Sequence, residues 1–200
     1  MAEPDIKERI LESAMERVLR YGFKKTTMDE IAADAGISKG ALYLHFKNKD
    51  EIVLEVATRN VRRVLSLVEH NLKTEKPVPE RLSNMYLEWL ELILKNPVVS
   101  FGIKSVALEL KAENREKLYE KLSEFVLEAL VPVINEGIEN NEIKSDVDPV
   151  ELASLYMIQM RHAVYISNFF PEFDWRGSWR SMWGMICNGI VPEHEKRKNS

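Results

Sequence analysis

Between Thr27 and Phe46 the chain specifies two helices, each too short to be stable by itself. Thr27 followed by Glu30 has the spacing of a capping box, in which each side chain satisfies an orphan backbone N–H at a helix start. Met28, Ile31, Ala32 and Ala35 follow at i, i+3, i+4 and i+7, one apolar stripe that Gly36 brings to an end. Ser38 can cap a second short helix over KGALYLHF. Such helices hold their shape only by packing on something longer, and the segment 5–21 supplies it. There Ile10, Leu11, Ala14 and Val18 share one arc, and Gly22 is placed to end the helix in a left-handed conformation. Phe23 then folds back onto the same face. Two short helices joined through a glycine turn and packed on a third make a helix-turn-helix arrangement.

The remainder reads as helix too: Leu, Glu, Lys and Met are abundant, with only eight Gly and eight Pro in 200 residues. Asn48 with Glu51 repeats the capping logic and opens a long helix to residue 73. Its apolar positions are Ala57, Val61, Val64, Leu65, Val68 and Leu72, and Glu55 and Arg59 stand at i, i+4 as an ion pair. Pro77 and Pro79 mark a linker over 73–80. Helices are expected over 80–95, as a short segment near 98–109, and over 113–140, the last kinked at Pro132. Asp148, Pro149 and Glu151 form a strong restart for a helix over 149–170 that is apolar on nearly every side and so must be covered on both. A final helix over 174–190 carries Trp175, Trp179, Met182, Trp183 and Ile186. The expectation is an all-α protein of about nine helices. An N-terminal three-helix helix-turn-helix domain over 1–50 precedes a helical domain over 51–200.

The net charge is −4, but it is unevenly spread. Residues 17–49 hold seven basic side chains against three acidic ones, a net of +4. That asymmetry fits one end of the chain meeting a polyanion, and equally a solvated charged face. A single cysteine, Cys187, excludes an intrachain disulfide and suits a reducing compartment. MAEPDIKERI has no apolar run of the secretory kind, and no stretch is long and apolar enough to span a membrane. A cytoplasmic protein is expected, without membrane partner or cofactor. The histidines argue against a di-iron helical enzyme: Leu42, Leu67, Gln159 and Val191 stand three residues before His45, His70, His162 and His194, and none is an acid. HExxH, Cys-x-x-Cys, a Gly-rich phosphate loop and Gly-x-Ser-x-Gly are all missing.

Residues 26–49, TTMDEIAADAGISKGALYLHFKNK, closely resemble the DNA-binding segment of the TetR family of transcriptional regulators. The resemblance rests on Thr26-Thr27, Ile31-Ala32, Ala35-Gly36-Ile37-Ser38, Lys39-Gly40, Leu42-Tyr43, His45-Phe46 and Lys47-Asn48-Lys49, with Tyr21-Gly22-Phe23 before them. Beyond that stretch the chain is similar only in layout. The resemblance implies a ligand-responsive regulator, a repressor, that binds a palindromic operator in double-stranded DNA and is released by a small-molecule inducer. DNA contacts would come from Thr27, Ser38, Lys39, Gly40, Tyr43, Leu44, His45, Lys47 and Lys49, while Leu42 and Phe46 would be core. Leu44 departs from the family, where that position is often aromatic or polar; leucine there either meets a thymine methyl or covers the core.

A head of this size makes too few contacts for a sharply specific site, so two heads on a two-fold axis are expected. The homodimer surface would come from the last two helices through Leu155, Ile158, Ile166, Trp179, Trp183 and Ile186. Candidates for a small-molecule pocket are Met85, Trp89, Phe101, Phe125, Tyr156, Met160 and Phe169, although aromatics and Met on helices are also ordinary core. Arg161 and His162 interrupt the most apolar helix; Arg161 would hold an acidic ligand or satisfy a carboxylate across the dimer. The ligand itself is not readable. The competing class is a helical adaptor or scaffold that does not bind DNA, which would show no salt-sensitive affinity for duplexes.

Overall fold

The computed structural model describes residues 5–95, 111–166, 170 and 172–192. Among the described residues every regular element is helical. The α-helices are α1 (Ile6–Tyr21), α2 (Met28–Asp34), α3 (Lys39–His45), α4 (Lys49–Val68), α5 (Val78–Lys95), α6 (Ala112–Glu139), α7 (Pro149–Ile166) and α8 (Trp175–Ile190). A short 3-10 turn, Glu69–Lys73, follows α4, so the long helix predicted to residue 73 tightens over its last five residues. The segment expected near 98–109 lies outside the described residues.

The predicted caps are in place. Thr27 accepts from the Glu30 amide, and the Glu30 carboxylate returns to the Thr27 amide at 2.9 Å. Ser38 Oγ accepts from the Ala41 amide at 3.1 Å. Asp148 Oδ1 accepts from the Val150 and Glu151 amides at 2.8 and 3.0 Å, opening α7 at Pro149. Pro132 sits inside α6 without ending it. Gly22 differs from expectation: its φ is +84°, but its ψ of 158° is extended and not left-handed helical. That region is essentially open only to glycine, and it turns the chain sharply into the α1–α2 corner. Gly36, with φ +65°, makes the turn between α2 and α3.

The chain falls into two compact units. One comprises residues 1–63 and 96–122, the other residues 64–95 and 123–200. In the first, Ile10, Leu11 and Ala14 of α1, Ile31 and Ala32 of α2, Leu42 of α3 and Ile52 of α4 bury a common core with Phe46. A second cluster explains why this unit extends beyond residue 50: Val18 and Phe23 pack with Val53 and Ala57 of α4 and Leu118 of α6. The Glu55–Arg59 pair expected along α4 does not form. Glu55 instead binds Lys7 at 3.0 Å and Arg59 binds Glu8, because the neighbouring α1 presents opposite charges to each.

In the second unit α5 is central and packs on the 3-10 turn, α7 and α8. Its buried stripe runs through Val78, Leu82, Met85, Tyr86, Trp89, Leu90 and Ile93. α6 ends where the Glu142 and Ile143 amides both reach the Gly137 carbonyl, with Asn141 at φ +60°. A Cβ on Gly137 would lie 3.0 Å from both Ile143 Cδ1 and Val78 Cβ, so the close approach of these segments requires glycine there.

Candidate nucleic-acid interface

The interface is built on α3, a helix of seven residues with no independent stability. Leu42, fully buried, and Phe46, 6% exposed, anchor it to the head. With those two facing inward, the intervening residues turn outward: Tyr43 is 46% exposed and Leu44 87%. His45 and Lys47 are exposed beside them. Leu44 therefore does not cover the core. A Cβ on Gly40 would find only Ser38 Oγ within 4 Å, at 3.9 Å, so the α3 backbone there is open to a large neighbour.

The head is braced by charge as well as by packing. Arg17 of α1 binds Asp34 at 2.7 Å and Glu30 at 3.1 Å, tying α1 to both ends of α2. The Thr27 hydroxyl and amide hold the Glu30 carboxyl below its ordinary value, with Arg17 adding to the effect. Lys39 binds Asp29 at 2.7 Å across the α2–α3 turn; that hydrogen bond and charge raise the Lys39 ammonium above its usual value. Both partners are well exposed, so the pair is screened and readily exchanged for a phosphate.

The residues predicted to touch DNA thus separate. Ser38, Lys39, Gly40, Tyr43, Leu44, His45 and Lys47 are exposed together along α3 and its exit. Thr27 is also exposed, but its hydroxyl is committed to Glu30 at 2.8 Å. Lys49 is not a free cation: its ammonium donates to the Phe23 and Thr26 carbonyls, both at 2.7 Å. Sequence reasoning placed Lys49 with the basic exit because spacing alone does not reveal backbone acceptors 23 and 26 positions away.

In the second unit, Met85, Trp89, Tyr156 and Met160 are buried and Phe125 is half-buried. Trp89 and Tyr156 join one aromatic cluster through Tyr86, which sequence reasoning did not single out. Burial raises the Tyr156 hydroxyl well above its usual value; this hydroxyl donates to the Leu82 carbonyl at 3.0 Å. Phe101 and Phe169 lie outside the described residues, as do the side chains of Arg161 and Ile166. His162 is exposed.

Of the residues expected at a dimer surface, Leu155 and Ile158 are exposed and Ile186 is half-buried. Trp179 and Trp183 belong to the core of the single chain, 2% and 6% exposed, where their indole N–H groups donate to Ser83 Oγ and the Pro79 carbonyl. Within the chain they leave little surface exposed. Sequence also missed Arg81, which is buried, binds the Glu136 carboxylate with two nitrogens and donates to the Leu72 carbonyl. An arginine near the start of an amphipathic helix carries no sequence signal for that role.

No described helix is long and apolar enough to cross a membrane. The family model for bacterial regulatory proteins of the tetR family matches residues 10–56, which span α1 to the first turns of α4. The fatty acid metabolism regulator protein of Bacillus subtilis is 25% identical over 140 residues, 70% of this chain and 72% of that protein. The HTH-type transcriptional regulator YhgD of the same organism is 28% identical over 171 residues, 86% of this chain and 84% of that one. In fold, the chain is similar to the transcriptional regulator FadR from Bacillus subtilis, solved in complex with stearoyl-CoA. That likeness has a TM-score of 0.70 at 22% identity and covers 92% of this chain and 98% of the other. Residues 10–56 thus form a helix-turn-helix head of the tetR family with α3 presented outward, in a chain that is similar over most of its length to bacterial transcriptional regulators.

Proposed function

We propose that the protein is a repressor that binds a palindromic operator as a homodimer and leaves it when a long-chain acyl thioester of coenzyme A binds. The observation that carries the DNA-binding part is the outward row of Tyr43, Leu44 and His45 on a short helix, continued by Lys47 at its exit, with Leu42 and Phe46 pinning it. Base readout needs side chains presented rigidly beside cations that grip phosphate, and this row offers both. Reading would be confined to residues 1–50, with sensing and pairing in 51–200.

The dimer reading is supported by α7. It buries Leu152, Tyr156 and Met160 within the chain, yet leaves Val150, Leu155 and Ile158 between 42% and 53% exposed on its other side. An apolar helix with only one covered face calls for a second cover. The ligand class is supported by likeness to a regulator solved with stearoyl-CoA, and by the buried Met85, Trp89, Tyr156 and Met160 as apolar wall material. No catalytic or cofactor role is assigned to the protein.

The test is selection of duplexes from a random pool by the whole chain, repeated at rising salt. A palindrome with half-sites about one helical turn, or a multiple, apart supports the reading. Its affinity should fall with salt at a log–log slope of about −0.9 per neutralised phosphate. Stearoyl-CoA should then displace the selected duplex, while coenzyme A and stearate alone should not. Absence of any enriched sequence would favour the adaptor reading; enrichment without displacement would remove only the ligand.

A further inference from the structure

Three lysines, at positions 39, 47 and 49, give the DNA-facing end of the head its positive charge, but the structure puts their ammonium groups in different situations. Lys39 sits in an exposed pair with Asp29, and Lys47 is exposed at the end of α3. Lys49 is half-buried, and its ammonium is bracketed on three sides. The Phe23 carbonyl and the Thr26 carbonyl each accept at 2.7 Å, and the Phe23 ring lies beneath it with its centroid 4.2 Å away. Three donors thus meet two carbonyls and an aromatic face.

The geometry around this lysine is fixed from both sides. On the α4 side, Asn48 Oδ1 accepts from the Glu51 amide at 2.9 Å and the Glu51 carboxylate accepts from the Lys47 amide at 2.8 Å. Those bonds set the first turn of α4 and hence where Lys49 starts. On the other side the corner 22–26 is closed on itself: the buried Thr26 hydroxyl donates to the Gly22 carbonyl at 2.9 Å, and the Thr26 amide to Phe23. Phe23 is buried against Val18, Val53 and Ala57. The residue after Thr26 is Thr27, the cap of α2, and α2 leads through Gly36 directly into α3.

We propose that Lys49 is a positioning residue for operator binding and not a phosphate ligand: its ammonium clamps the α1–α2 corner to the start of α4 and so fixes where α2 and α3 stand. This rests on the DNA-binding reading given above. To reach a phosphate the ammonium would have to leave two carbonyls and a ring that are already in place, whereas Lys39 and Lys47 have far less to give up. An ammonium suits the clamp because it is a compact charge with donors in several directions on a stem long enough to cross from α4 to the corner.

The test uses the whole chain and the duplex that the wild-type protein enriches from a random pool. In Lys49→Met, affinity should drop about tenfold or more, the scale expected when a charge-assisted hydrogen bond is lost. The log–log salt slope should stay that of wild type. Lys47→Met should instead shallow the slope by about 1.8, the signature of two phosphate contacts removed, one from each protomer. A slope shallowed by that amount in Lys49→Met, or an affinity unchanged there, overturns the proposal. Two measurements stand apart from the fate of that variant. In wild-type protein, the Lys49 ammonium resonance should keep its position when the duplex is added and show no coupling to phosphorus; a new coupling overturns the proposal. In DNA-free protein, the Thr26 amide should exchange with solvent faster in Lys49→Met than in wild type, and equal rates overturn it. A wild-type chain that enriches no duplex would sink the DNA-binding reading, while the exchange measurement would still report on the clamp.

Discussion

Tyr86 and Trp179 lie face to face, ring centroids 3.5 Å apart and planes within 9°. Trp183 continues the stack beyond Trp179 at 5.1 Å, and Tyr156 meets Tyr86, Trp179 and Trp183 edge-on. The stack joins α5, α7 and α8, and each polar tip has an acceptor: Tyr86 reaches the Gln159 carbonyl and Trp179 the Ser83 hydroxyl. Rings of this size dominate the energetics of the cores they occupy, and tips satisfied in this way avoid the cost of buried unpaired donors.

Trp179→Ala should therefore destabilise the second unit by about 3–5 kcal/mol, the usual cost of removing a large buried aromatic. Trp179→Phe, which keeps a ring but strands Ser83, should cost less. Urea unfolding followed by circular dichroism measures both. If Trp179→Ala leaves the midpoint unchanged while weakening self-association, the tryptophan belongs to a dimer surface instead.

Arg81 and Glu136 should respond unequally to substitution. Arg81 is buried and also serves the Leu72 carbonyl, whereas Glu136 is half exposed and regains water when its partner goes. Arg81→Met should thus cost more stability than Glu136→Gln. In the double variant the losses should fall short of their sum, because the two side chains share one interaction. Strict additivity in denaturant midpoints would show that the pair contributes nothing.

Leu44, 87% exposed between Tyr43 and His45, should read a thymine methyl. Replacing thymidine by deoxyuridine at one half-site position should weaken wild-type binding about fourfold, the value of one buried methyl-sized group. The same replacement should be silent in Leu44→Ala. A uracil penalty that persists in the variant would assign the contact to another residue.

Acid should loosen the head through Glu30. Its carboxyl is held below the ordinary 4.5 by Thr27 and Arg17, so the charged form is favoured by folding. That contribution is complete above 4.5 and disappears as pH falls through the lower value of the folded state. Glu30→Gln should reduce head stability at neutral pH and flatten its dependence on pH below about 4.5, read as exchange protection of α2 amides. A variant whose acid response matches wild type would place the titrating group elsewhere.

Local chemistry in the chain was enough to specify where several of the described helices begin. Thr27 with Glu30, Ser38, Asn48 with Glu51, and Asp148 with Pro149 each place a hydrogen-bond acceptor, or a residue needing no donor, where a helix must begin. Glycine at positions 22 and 36 supplies the positive φ that the turns require. These are relations between residues three or four apart, so they are written in the sequence, and the outward row on α3 follows once Leu42 and Phe46 are known to face inward.

Only the tertiary structure could decide the partners of groups far apart in the chain. Lys49 binds carbonyls at Phe23 and Thr26, Glu55 and Arg59 turn to α1 instead of to each other, and Arg81 finds Glu136. Trp179 and Trp183 face α5 within the chain, leaving Leu155 and Ile158 exposed on α7. A side chain's charge or apolarity says that it needs a partner, but which partner depends on packing many residues away. Helix starts are set by neighbours along the chain, whereas the roles of Lys49, Arg81 and the tryptophans are set by neighbours in space.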